Sequence, residues 1–242
     1  MNQRETLKEE IRKAFPEAEP ARVFFGRHNL LLEESYGFTP ENTRFAEGGC
    51  SDEINEPELV YMERYWGERF KFGGLAGYCH GGKTGLAAVS HHVPEVDGRK
   101  NLLLLAGTHI GFHEGVWGKV PRRGQEGVTA SCGALSAVLA AGYPALKDKD
   151  LDPLDRQQFA VEQMMLPYLE RCQEAGEEPN ILAATHFLQH RIESDMALMV
   201  AGLENSFDGL IALVTGITVN TAKGNFFSPG VVEIRGMEDS LQ

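Results

Sequence analysis

Apolar positions change their spacing several times along this chain, and each change marks a predicted element. In residues 5–15, Leu7, Ile11 and Phe15 recur four apart, the face of a short amphipathic helix. Residues 22–34 are apolar without a period that separates helix from strand. Residues 57–70 place Leu59, Met62 and Trp66 on one helical face. Pro57 stands at the first helical position, where its missing N–H costs nothing. The run NLLLLAG, 101–107, is continuously apolar, as in a strand buried on both faces of a parallel sheet. Residues 131–143 read as a helix entered through Thr129 or Ser131 as a cap. In 153–175, Leu154, Val161, Met165, Leu169 and Cys172 form a helical stripe that Pro167 is expected to kink. Residues 180–203 continue helical, and GLIALVTGITVNT and PGVVEIRG close the chain as strands.

Apolar strands alternating with helices predict an α/β fold: a central, mostly parallel β-sheet flanked by helices, with helical N-terminal and C-terminal additions. One domain of 242 residues is expected, with a helical segment at 1–35, a site-bearing core at 36–145, and helices and closing strands at 146–242. The formal net charge of −12 makes nucleic acid a poor partner. No run approaches the 18 apolar residues of a membrane-spanning helix. The first residues, MNQRETLKEEIRKAFPE, lack the apolar core of a secretory leader, so the expected location is cytoplasmic.

In such sheets, sites form at the carboxyl ends of strands. Cys50 follows one candidate strand, His109 follows another, and Cys132 falls in the first turn of a helix. There the backbone dipole favours a thiolate. Two thiolates and one imidazole suit a catalytic zinc, which keeps its fourth position for solvent. The 59 and 23 residues between these positions make spacing alone a weak signal. Cys79 and Cys172 fit buried apolar thiols, and no disulfide framework is expected.

The strings FTPENTRFAEGGCSDEIN, GGKTGLAAVSHHVP, GTHIGFHEGVWGKV and SCGAL resemble the limiting-CO2-inducible protein B family. That family is related in fold and site to the β-class carbonic anhydrases and is also described as theta-class. The likeness runs in order from about Tyr36 to Leu135 and continues more weakly to FFSPGVVEI. It implies that Cys50, His109 and Cys132 bind Zn2+, that carbon dioxide and bicarbonate are interconverted, and that the protein is a homodimer with its site near the subunit interface.

Asp52 is the natural helper of such a metal, but its carboxylate could also reach the ion and close the site. β-class enzymes restrain this Asp with an Arg two residues later, where this chain has Ile54. Arg64, Arg122 and Arg123 are candidates to replace it. As a general alternative, Asp52 could serve as a helix cap. His91 and His92 could move protons or could hydrogen-bond a turn before Pro94. The expected helper set is Asp52, His92, Arg64 and Arg123. His113 fits a supporting or surface role.

Other patterns are weaker. GYCHGGKT, 77–84, matches the phosphate-binding template Gly-x4-Gly-Lys-Thr but does not follow a buried strand. A tight glycine loop near the site or a subunit interface fits better. His186 and His190 lie four apart on a helix, on the face away from Leu188, Ile192, Met196, Met199 and Leu203. No serine-hydrolase elbow or dinucleotide fingerprint is present. Two rival functions follow: a catalytically silent zinc protein, or a nucleotide-binding protein.

Overall fold

A computed structural model describes residues 3–236. The chain opens with helix α1 (Gln3–Ala14), a two-residue strand β1 (Glu19–Pro20) and helix α2 (Ala21–Tyr36). Then come β2 (Thr43–Gly48), α3 (Glu56–Trp66), β3 (Phe70–Lys71), α4 (Gly82–Ser90) and β4 (Asn101–Ala106). A small meander follows: β5 (His109–His113), β6 (Val116–Trp117), β7 (Lys119–Pro121) and β8 (Val128–Ala130). Helices α5 (Gly133–Leu146), α6 (Arg156–Ala175) and α7 (Ile181–Glu204) lead to the long hairpin β9 (Leu210–Asn220) and β10 (Phe226–Arg235).

The sheet runs β1-β10-β9-β4-β2-β3, with β5 beside the far half of β9 and β6 beside β5. Its centre is parallel, β2 to β4 and β4 to β9. The hairpin edge is antiparallel, with a register shift between Pro229 and Val232. The apolar run of β4 is buried at every position, as its sequence predicts. Alternation then splits it between two cores. Leu102 and Leu104 pack with α4–α7, whereas Leu103 and Leu105 pack with Phe24, Phe25, Leu59, Met62 and Trp66 of α2 and α3. Burying each such side chain stabilises the fold by about 1.5–3 kcal/mol.

Several boundaries differ from the sequence expectation. Residues 22–34, left undecided, belong to α2, which buries Phe24, Phe25, Asn29 and Leu32 and which Gly37 ends in a left-handed conformation (φ 70). α3 stops at Trp66 rather than residue 70, because Gly67 closes it. α6 passes through Pro167, while the predicted helix of 131–143 starts at Gly133 and is interrupted at Gly142, just before Pro144. Cys132 is therefore the extended residue ahead of α5 (φ −82, ψ 137) and not part of its first turn.

The connection from β4 to β5 positions the site. A Cβ at Gly107 would collide with the carbonyl of Gly216, and one at Gly77 would collide with the carbonyl of Gly107. Only glycine lets these three chain segments meet. Gln189 of α7 fixes the turn by accepting from the Thr108 N–H at 3.1 Å, and His109 then begins β5.

Candidate metal centre

Three elements deliver three candidate ligands to one buried point. Cys50 follows β2, His109 opens β5, and Cys132 precedes α5. All three are buried, and their ligand atoms lie within 4.8 Å of one another. The two sulfurs are 3.9 Å apart. It is the one such group among the described residues.

A chain of side chains orients this cluster. His109 Nδ1 lies 2.7 Å from Asn220 Oδ1 and 3.2 Å from Ser131 Oγ. Asn220 donates to Asn55 Oδ1 at 3.1 Å, and Asn55 donates to the Cys50 carbonyl at 3.3 Å. Asn220, Asn55 and Ser131 are themselves buried. With Nδ1 engaged, the ring turns Nε2 toward the sulfurs, where it is buried with no hydrogen-bond partner. An orphaned imidazole nitrogen is costly unless something binds it. An imidazole and two thiols are the donor types that zinc prefers. The residues present therefore fit the metal.

The cluster is electrostatically uneven. The hydrogen bond from Cys50 and the neighbouring His109 hold the Cys132 thiol well below its ordinary value. Cys50 is pushed up, because it gives that hydrogen bond and is buried. Burial opposes charge on His109, but contact with Cys132 carries its pKa upward. Cys79 is different: burial, helped by the Glu47 and Asp195 carboxylates, pushes it up to about 12, and its sulfur sits 3.6 Å from that of Met196. It is an inert core thiol. Cys172 is also buried, and no cysteine forms a disulfide.

Asp52 stands at the edge of the cluster, with Oδ2 3.7 Å from His109 Nε2. Arg122 grips both its oxygens, Nη1 to Oδ1 at 2.6 Å and Nη2 to Oδ2 at 2.7 Å. Arg122 is held in turn by Thr129 Oγ1 at 2.9 Å and the Ala130 carbonyl at 3.1 Å. Burial works to raise the Asp52 carboxyl, but the Arg122 fork holds it below its ordinary value. Asp52 also caps the short turn Glu53–Asn55 by accepting from Ile54 N–H at 3.3 Å, so the cap and the metal-side placement coexist.

The family of limiting CO2-inducible proteins B/C, described as beta carbonic anhydrases, matches residues 23–236. The chain belongs to this family. Among solved structures, it is 33% identical to PtLCIB4, a homolog of the limiting CO2-inducible protein LCIB, with a TM-score of 0.83 over 94% of this chain and 95% of that one. LCIB itself is 21% identical over 92% of each chain, with a TM-score of 0.70, a likeness of fold. No curated protein matches the chain.

In this member of the limiting CO2-inducible B/C family, the arginine absent at Ile54 is supplied from 70 residues away. Arg122 pairs with Asp52; Arg64 and Arg123 do not. Arg64 lies on the exposed side of α3, and Arg123 is exposed in the β7–β8 turn. Both line a recess beside Arg122 instead. His92 is not brought to the cluster either. It is exposed at the carboxyl end of α4, where its N–H meets the Val89 carbonyl. His113, half-buried at the end of β5, reaches Glu114 and no metal ligand.

The remaining motifs become structural. GYCHGGKT follows only the two-residue β3 and is packed through Gly77 against the turn that leaves β4 at Gly107, with Cys79 turned inward. The stripe from Leu188 to Leu203 is buried, while His190 is exposed beside Glu193 and His186 stacks on Phe15 at 4.9 Å. Sequence reasoning missed Asn220, Asn55 and Ser131. A polar residue closing the apolar strand GLIALVTGITVN was the available signal for Asn220, because strand carboxyl ends carry sites.

Proposed function

We propose that this chain is a zinc-dependent carbonic anhydrase that interconverts carbon dioxide and bicarbonate, with Cys50, His109 and Cys132 holding the metal. One observation carries the reading. A buried imidazole nitrogen without a partner faces two thiols within 4.8 Å, in a chain of a family described as beta carbonic anhydrases. Zinc in such a site supplies the Lewis acidity that lets a water lose its proton near neutral pH.

Two thiolates offset the charge of a divalent ion, so the surrounding residues must help favour deprotonated solvent. Asn220 fixes the ring of His109 through Nδ1, which leaves Nε2 free to hold the metal. Asp52, kept ionised by Arg122, offers Oδ2 as a hydrogen-bond acceptor beside Nε2. There it orients solvent toward the substrate carbon. The two-pronged grip of Arg122 also resists rotation of the carboxylate into the cluster.

The same 3.7 Å approach of Oδ2 to Nε2 favours a second reading, a catalytically silent protein whose Asp52 closes the site. Stopped-flow CO2 hydration on zinc-loaded protein at several pH values separates the two. The enzyme reading predicts turnover that Asp52→Ala lowers sharply while zinc is kept; silence at every pH favours the closed site. The protein is further proposed to be a cytoplasmic homodimer. Val23, Leu30 and Leu31, about half exposed on one side of α2, support a subunit contact. Light scattering at monomer mass would remove that part of the reading.

A further inference from the structure

The recess beside Arg122 has a volume of about 610 Å³ and is lined by Arg22, Arg64, Arg122 and Arg123. Four guanidinium groups on one recess are unexpected in a chain of net charge −12. The acids that share its wall are already engaged: Glu53 by Arg122, and Glu56 by Arg69 at 2.7 Å. Among the described residues, Arg64 and Arg123 form no ion pair. Burial raises the Glu58 carboxyl and Arg22 only weakly opposes that rise; Arg22 makes no ion pair either among the described residues. Val60, Tyr61 and Pro57 of α3 supply an apolar floor between the charges.

We infer that this recess binds a small organic molecule carrying two or more phosphate or carboxylate groups. Guanidinium groups are matched to such oxyanions, which they bind through paired N–H donors. The volume falls within the 300–1,000 Å³ or so typical of metabolite sites. Bicarbonate is little larger than one or two water molecules of about 30 Å³ each, and would leave most of the space and most of the charges unused. The inference is independent of the reaction at the metal centre, because it rests on three arginines that touch none of its ligands.

Calorimetry on the zinc-loaded protein tests it, with fructose 1,6-bisphosphate as the two-phosphate probe and inorganic phosphate as the single-phosphate probe. Saturable binding of the bisphosphate is expected, weakened at least about tenfold by Arg64→Gln with Arg123→Gln. Removing two exposed arginines elsewhere, by Arg156→Gln with Arg191→Gln, should leave it unchanged. The inference is overturned by any of three results: no saturable binding, equal weakening by the distant pair, or inorganic phosphate binding as tightly as the bisphosphate.

Discussion

Both ends of the parallel sheet bury a pair of asparagines, and the two pairs do different things. At the amino ends, Asn42 and Asn101 hydrogen-bond to each other at 2.8 Å and to the Gly37 carbonyl, while Asn42 also accepts from Thr39 N–H and Thr43 Oγ1. That network closes on itself, and neither asparagine has a fully buried side-chain atom without a partner. At the carboxyl ends, Asn55 and Asn220 link Cys50 to His109, but the chain stops at an unpaired Nε2, and the buried Oγ1 of the preceding residue, Thr108, is unpaired as well. Buried polarity that closes is structural. Buried polarity that ends on an open donor or acceptor next to two thiols is prepared for a ligand.

The comparison can be broken at several points. The largest effect is expected from Cys132→Ser, which should lose bound zinc and CO2 hydration together; full zinc content by metal analysis would contradict the ligand set. Asp52→Ala should keep zinc while hydration falls by about 10–100-fold or more. Asn220→Ala should lower zinc affinity by about 10–100-fold in a chelator competition, since it frees the His109 ring. Asn42→Ala, the matching change at the other end, should cost about 1–3 kcal/mol in denaturant unfolding and leave zinc affinity unchanged. If both asparagines affected zinc equally, the two ends would not differ as described.

The smallest effect concerns Arg122→Gln in the metal-free protein. The folded carboxyl of Asp52 lies below its ordinary value, so its pairing contributes stability above the unfolded pKa of about 3.9 and loses it as pH falls through the folded one. The variant should thus be less stable than wild type at neutral pH. The gap should narrow in acid below the ordinary carboxylate range. A gap that stays constant with pH would dissociate Arg122 from the ionisation of Asp52.

Local patterns carried much of the fold. NLLLLAG announced a two-faced buried strand, and the stripe from Leu188 to Leu203 announced α7, because burial and period are written in neighbouring residues. The candidate ligands Cys50, His109 and Cys132 came from motif likeness, and the structure brings their side chains together. The partner of Asp52 was not legible. Arg64 sits on α3, Arg122 and Arg123 are neighbours in the β7–β8 hairpin, and the Arg122 fork is set by contacts to Thr129 and Ala130. The amide chain through Asn220 and Asn55 was equally hidden, since 165 residues separate its two members. The edge hairpin was half seen: β10 starts at Phe226, Pro229 stays in register opposite Gly216, and the bulge falls on the next two residues, Gly230 and Val231.

X-ray absorption at the zinc edge, on protein purified without chelator, tests the central claim most directly. The account predicts one zinc per chain, with two sulfurs at about 2.3 Å and one imidazole nitrogen at about 2.0–2.1 Å. A protein without zinc, or a zinc with fewer than two sulfur neighbours, would contradict it.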